Sequence, residues 1–176
     1  MKASKIFVWC VLLIFMAAFA GCTATSQMKP NLALNTGHNQ YPVCAFSVES
    51  NVNEDLDKEL IELKSEILKR VSHLNIFRSI QFTKDYEKAE GCLLVVVSIS
   101  EIKKLSGSKR FFLGAMAARA KIKADITFID AAAQETIGSY TVTGKSGGSD
   151  FSGGTGEAIR KTAEAIVEII QENYKM

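Results

Sequence analysis

The sequence predicts an α/β domain of the α+β kind, a two-layer sandwich whose mostly antiparallel sheet, with a parallel β-α-β start, packs against two helices. Three observations predict it. Leu56 to Leu74 and Ile159 to Ile170 repeat apolar residues at spacings of three and four, as helices with one buried stripe do. Between them, runs such as Lys121 to Asp130 alternate apolar and polar residues, as a half-buried strand does. The order strand, helix, strands, helix gives each helix stripe a sheet to cover.

Residues 1–21 stand apart from this domain. Lys2 and Lys5 precede an uncharged stretch from Ile6 to Ala20, and Phe19-Ala20-Gly21-Cys22 closes it. Positive start, apolar middle and small-residue end is the order of a secretory signal. Ala20 and Gly21 before a cysteine match a bacterial lipobox, although Phe19 stands where Leu is usual. The expectation is cleavage between Gly21 and Cys22, with lipid on the Cys22 thiol. An uncleaved membrane anchor is the alternative, but the apolar run is shorter than the roughly 20 residues of a span. Thr23 to Gln40, with Pro30, Asn31, Asn35, Gly37 and Asn39 and no periodicity, reads as a flexible tether over residues 22–40. Residues 41–176 then form the single domain.

Within it, Val43 to Glu49 alternates and reads as a first strand. Asn53 before Glu54 and Asp55 reads as an N-cap with an acidic first turn. Leu56, Leu60, Leu63, Ile67, Val71 and Leu74 follow as the apolar stripe, with Lys58, Glu62, Glu66 and Lys69 on the wet side. Ile76 to Thr83 is a short edge strand or turn. The continuous run Cys92 to Val97 suits a strand buried on both faces or central in the sheet. In Lys121 to Asp130, Ile122, Ala124, Ile126 and Phe128 point to the core, and Lys121, Lys123, Asp125 and Thr127 to water. A turn over 131–136 leads to Ile137 to Thr143, with Tyr140 and Val142 inward. Ile159, Ala163, Ile166 and Ile170 mark a closing helix from about Thr155 to Glu172.

The charge balance is 21 basic to 19 acidic residues, a net +2 that is too small for the footprint of a nucleic-acid binder. Removing Lys2 and Lys5 with the signal leaves 19 of each sign. No nucleic acid is therefore expected as a partner.

No Gly-x-Ser-x-Gly elbow, His-Glu-x-x-His pair or Walker loop is present, and the acids lie mostly on helix wet faces. Asp85, Asp130 and Asp150 are loop acids that suit turns. The expectation is no enzyme, no catalytic residues and no cofactor. Two histidines, His38 and His73, have no ligand spacing, so no metal is expected either. Of the four cysteines, Cys10 belongs to the signal and Cys22 to the lipid. Cys44 and Cys92 begin two strands and are either a disulfide or two buried thiols.

Two segments are unusual. Gly144 to Gly156 contains six glycines before a helix; it reads as a mobile loop rather than a phosphate cradle, since Lys145 lies at the wrong end. Arg110, Phe111, Phe112, Leu113, Gly114 and Met116 form an apolar stretch with basic flanks. It is either a buried strand or a contact patch for a partner or the bilayer surface.

Arg110-Phe111-Phe112-Leu113-Gly114, Ala118, the alternating strand ending in Asp130, the Ile137-Gly138 return, the Gly-rich loop and the terminal Ala/Ile helix together resemble the bacterial lipoprotein family catalogued as domain of unknown function 4410. Ala131-Ala132-Ala133-Gln134-Glu135 departs from that family's Thr-Gly-Glu turn. The resemblance implies a fold and an address, with no activity attached. Together with the lipobox, it leads to the expectation of a lipid-anchored envelope protein, at the outer membrane facing the periplasm because Thr23 rather than Asp follows Cys22. There it would be a binding or assembly module for an envelope partner. The alternatives are a self-associating subunit of an outer-membrane ring or secretion complex, and an enzyme on cell-wall or lipid substrates.

Overall fold

The computed structural model describes residues 24–36, 41–83, 90–105, 119–147 and 154–174. Six strands, β1 (Thr25–Leu32), β2 (Val43–Ser50), β3 (Ser79–Phe82), β4 (Cys92–Lys103), β5 (Lys121–Asp130) and β6 (Glu135–Lys145), form one sheet in the order β1-β6-β5-β4-β2-β3. Helices α1 (Asp57–Leu74) and α2 (Thr155–Asn173) pack side by side against it. β2 runs parallel to β3 and β4, whereas β4, β5, β6 and β1 pair antiparallel in turn. The α+β sandwich with a parallel start is what the sequence predicts.

The core follows the predicted periodicities. Ile122, Ala124, Ile126 and Phe128 of β5 are at most 1% exposed, and they meet Leu63, Ile67, Val71, Ile159, Ala163, Ile166 and Ile170 of the helices. β4 is central, between β2 and β5, which explains its unbroken apolar run. Its Leu93, Val95 and Val97 face the helices. Leu94 faces the other way and joins Ala45, Cys92 and Ala131 in a second, smaller apolar cluster.

Two expectations are corrected. Asn53 is not the cap of α1: the helix begins at Asp57, with Leu56 in the N-cap position and no side-chain cap bond. Leu56 is 2% exposed and is drawn into the core, so the chain stays irregular until it has passed from β2 to the helix layer. Asp55 instead accepts the Asp57 N–H through Oδ1 at 3.2 Å. At the other end Asn75, at φ 54°, closes α1 in the left-handed conformation that asparagine tolerates.

The larger correction concerns the tether. Residues 25–32 form β1, paired with β6 from Thr25 opposite Lys145 to Leu32 opposite Ser139. An edge strand is held by backbone bonds on one side and is otherwise wet, so it needs little apolar periodicity and tolerates Pro30. Its composition is that of a linker, and only the open edge of β6 distinguishes the two. The segment beyond β1 is also pinned. Leu34 is buried and donates its N–H to the Tyr140 hydroxyl at 2.9 Å, and Asn35 donates to the Ile137 carbonyl at 2.9 Å. Gly138 permits this approach, since a Cβ there would lie 2.7 Å from the Leu34 Cα.

Candidate binding surface

The residues singled out in the sequence are not brought together. Gly21 and Cys22, and the stretch Arg110, Phe111, Phe112, Leu113, Gly114 and Met116, lie outside the described residues. Cys44 and Cys92 do begin neighbouring parallel strands, but Val43 is opposite Cys92 and Cys44 is opposite Leu93. With side chains alternating along a strand, this one-residue offset sends Cys44 toward the helices and Cys92 to the other face. The disulfide is therefore excluded, and both are buried free thiols. Burial pushes both thiol pKa values up, that of Cys44 well above the usual range.

The Gly-rich segment is anchored where it leaves the sheet. Ser146 is fully buried, accepts the Ala120 N–H at 2.9 Å and donates to the Gly147 carbonyl at 3.3 Å. The Gly147 N–H donates to Glu157 Oε2 at 2.8 Å. A carboxylate of the chain itself thus stands in the first turn of α2, where a phosphate would have to bind. Residues 148–153 of the segment lie outside the described residues.

At the end of the sheet where β2 starts, Tyr41 donates to Asp130 Oδ2 at 2.8 Å, and Tyr174 meets Phe77 edge-on and Tyr41 at a tilt, with ring centroids 5.2 and 6.4 Å away. Asp130 Oδ1 accepts the N–H groups of Ala132 and Ala133, the turn role its position suggests. These bonds, that of Ala133 first and Tyr41 next, hold the Asp130 carboxyl below the usual carboxylate range. The Tyr174 hydroxyl is buried and has no hydrogen-bond partner among the described residues. Burial raises its pKa, and nearby Cys44, Tyr41 and Asp130 add to the rise.

The other face of the sheet, away from the helices, carries the small apolar cluster at its Cys92 end and charged residues at the opposite end. Register places Lys145 of β6 opposite Lys121 of β5, and Lys121 opposite Lys103 of β4, with Thr25 of β1 completing the row. Residues directly opposite one another share a face, so three lysines stand abreast at one end of the sheet. Lys121 reaches Glu101 Oε2 at 2.7 Å. The Lys121 hydrogen bond, followed by the charges of Lys121, Lys123 and Lys103, holds the Glu101 carboxyl below its usual range. Two rows further in, Asn31 donates to the Thr141 hydroxyl at 3.2 Å, which donates to Asp125 Oδ1 at 2.8 Å, linking β1, β6 and β5. The alternation of β5 identifies Lys121 and Lys123 as outward from sequence. Lys103 and Lys145 join them only through register, which single-strand periodicity does not carry. Among the described residues, no three His, Cys, Asp or Glu side chains gather as a metal site.

The family described as Domain of unknown function (DUF4410) matches residues 34–147. No curated protein matches the chain. Among solved structures, the fold is similar to the PelC dodecamer from Paraburkholderia phytofirmans, at 12% identity over 84% of this chain and 97% of that one, with a TM-score of 0.50. A DUF330 protein from Xanthomonas campestris is 7% identical over 82% of this chain and 95% of its own, with a TM-score of 0.49.

Proposed function

The chain belongs to the domain-of-unknown-function family DUF4410, and from that membership we propose that it is a lipid-anchored lipoprotein of the bacterial cell envelope, a binding or assembly module and not an enzyme. The observation that carries this reading is Phe19-Ala20-Gly21-Cys22, a cleavage and lipidation signal placed directly before a folded α+β domain. Thr23 in place of Asp favours the outer membrane, facing the periplasm. Polar groups that are already bonded within the chain support a module that works through its surface. Asp130 is used in a turn, Glu157 in holding Gly147, and the Thr162 hydroxyl in donating to the Ala158 carbonyl at 2.9 Å. Arg110, Phe111, Phe112, Leu113, Gly114 and Met116, between Leu105 and Arg119, remain the candidate contact for an envelope partner.

Mass spectrometry of the mature N-terminal peptide tests the anchor. Lipid on Cys22 is expected, and Cys22→Ala should accumulate as uncleaved precursor; a mature peptide without lipid sinks the reading.

A second reading, a self-associating subunit of a ring or secretion complex, is favoured by the likeness to a chain whose structure is a dodecamer. The sheet edges β1 and β3 offer backbone groups for pairing between copies. Molar mass in mild detergent decides it: a monomer at high concentration removes this alternative.

A further inference from the structure

We propose that the face of the sheet away from the helices, at the end where Thr25, Lys145, Lys121 and Lys103 stand in one row, is held directly against an anionic phospholipid surface. The inference rests on the lipid anchor at Cys22 and deepens it. With β1 starting at Thr25, only Thr23 and Ala24 separate the anchor from the folded sheet. Three residues of extended chain span at most about 10 Å, close to the screening length of roughly 8 Å at physiological salt. Neighbouring strands lie about 4.8 Å apart, so Lys145, Lys121 and Lys103 follow Thr25 across the sheet in steps of that size. The domain is thus not suspended on a long tether. The end of the sheet that enters from the membrane is the end that carries the lysines.

Charge on the face has the matching sign. Among the described strand residues of this face, Lys29, Lys103, Lys121, Lys123 and Lys145 outnumber Glu49, Glu101 and Asp125, and Glu101 pairs with Lys121. Like charges directly opposite on neighbouring strands repel, and a layer of lipid phosphates relieves that repulsion for the whole row at once. One free phosphate cannot reach all three strands. The first turn of α1 lies at the same end of the molecule, where Lys104, just past β4, pairs with Glu59 at 3.0 Å; the positive charge of the helix layer is thus already matched there, and the basic side of the sheet is the side that turns to the membrane.

The test uses the mature lipidated chain reconstituted into vesicles of phosphatidylcholine, or of phosphatidylcholine and phosphatidylglycerol in equal parts. Lysines are labelled with a membrane-impermeant acylating reagent and the peptides are read by mass. Lys103, Lys121 and Lys145 should label about fivefold more slowly in the anionic vesicles, the factor expected for one basic residue near such a surface. Lys58 and Lys69, exposed on α1, should label equally in both. High salt should erase the difference. Lipidated protein whose Lys103, Lys121 and Lys145 label at the same rate in both vesicles overturns the docking alone. An N-terminal peptide without lipid overturns the anchor, and the docking with it.

Discussion

The hydroxyl of Tyr41 lies 2.8 Å from Asp130 Oδ2 and donates to it, joining the start of the β2 segment to the last residue of β5. The bond crosses from one part of the sheet to another at the end opposite the lysine row. Tyr41→Phe removes it while keeping the ring against Tyr174. A loss of about 1 kcal/mol in unfolding free energy is expected, read from urea denaturation.

The same carboxylate carries a pH dependence. Because the folded pKa of Asp130 is lowered from 3.8, the ionised group stabilises the fold at pH values above 3.8, and that contribution is lost as pH falls through the lower folded value. Asp130→Asn should flatten the acid side of the stability profile. Thermal melts between pH 6 and the acid range, roughly pH 2 to 4, check this; an unchanged slope would count against it.

Gly144 sits where α2 crosses β6. A methyl there would overlap the Ala158 carbonyl and the Thr162 hydroxyl and come within 2.7 Å of the Thr162 nitrogen. These are backbone and buried atoms, so the helix has to lift. Gly144→Ala should cost about 2 kcal/mol or more in unfolding free energy, read from urea denaturation.

Tyr140→Phe leaves the buried N–H of Leu34 without its acceptor. The cost should be roughly 1 to 3 kcal/mol, and it should fall first on the edge. Amide exchange over residues 25–36 should accelerate while β4 and β5 remain protected; uniform acceleration would show that β1 is not a separately opening strand.

Cys44 and Cys92 should resist alkylation in the native protein, since both are buried and their pKa values are raised. Under oxidising conditions they should stay unlinked, because they point to opposite faces. Equal mobility on reducing and non-reducing gels checks this.

Local pattern was enough for what depends on one segment at a time. The 3.6-residue repeat of Leu63, Ile67 and Val71, and the alternation of Ile122, Ala124, Ile126 and Phe128, state which side is dry, because burial must match the period of the backbone. Those signals determined the two helices, the central strands, the sandwich and the turn role of Asp130. What needed tertiary structure was everything set by which strands become neighbours. β1 has the composition of a linker and becomes a strand only because β6 offers an edge. Cys44 and Cys92 part by a single residue of register. Lys103, Lys121 and Lys145, far apart in the chain, form one row because interstrand hydrogen bonds align them. Periodicity records a residue's relation to its own segment, whereas register arises between segments and is fixed only when the sheet closes.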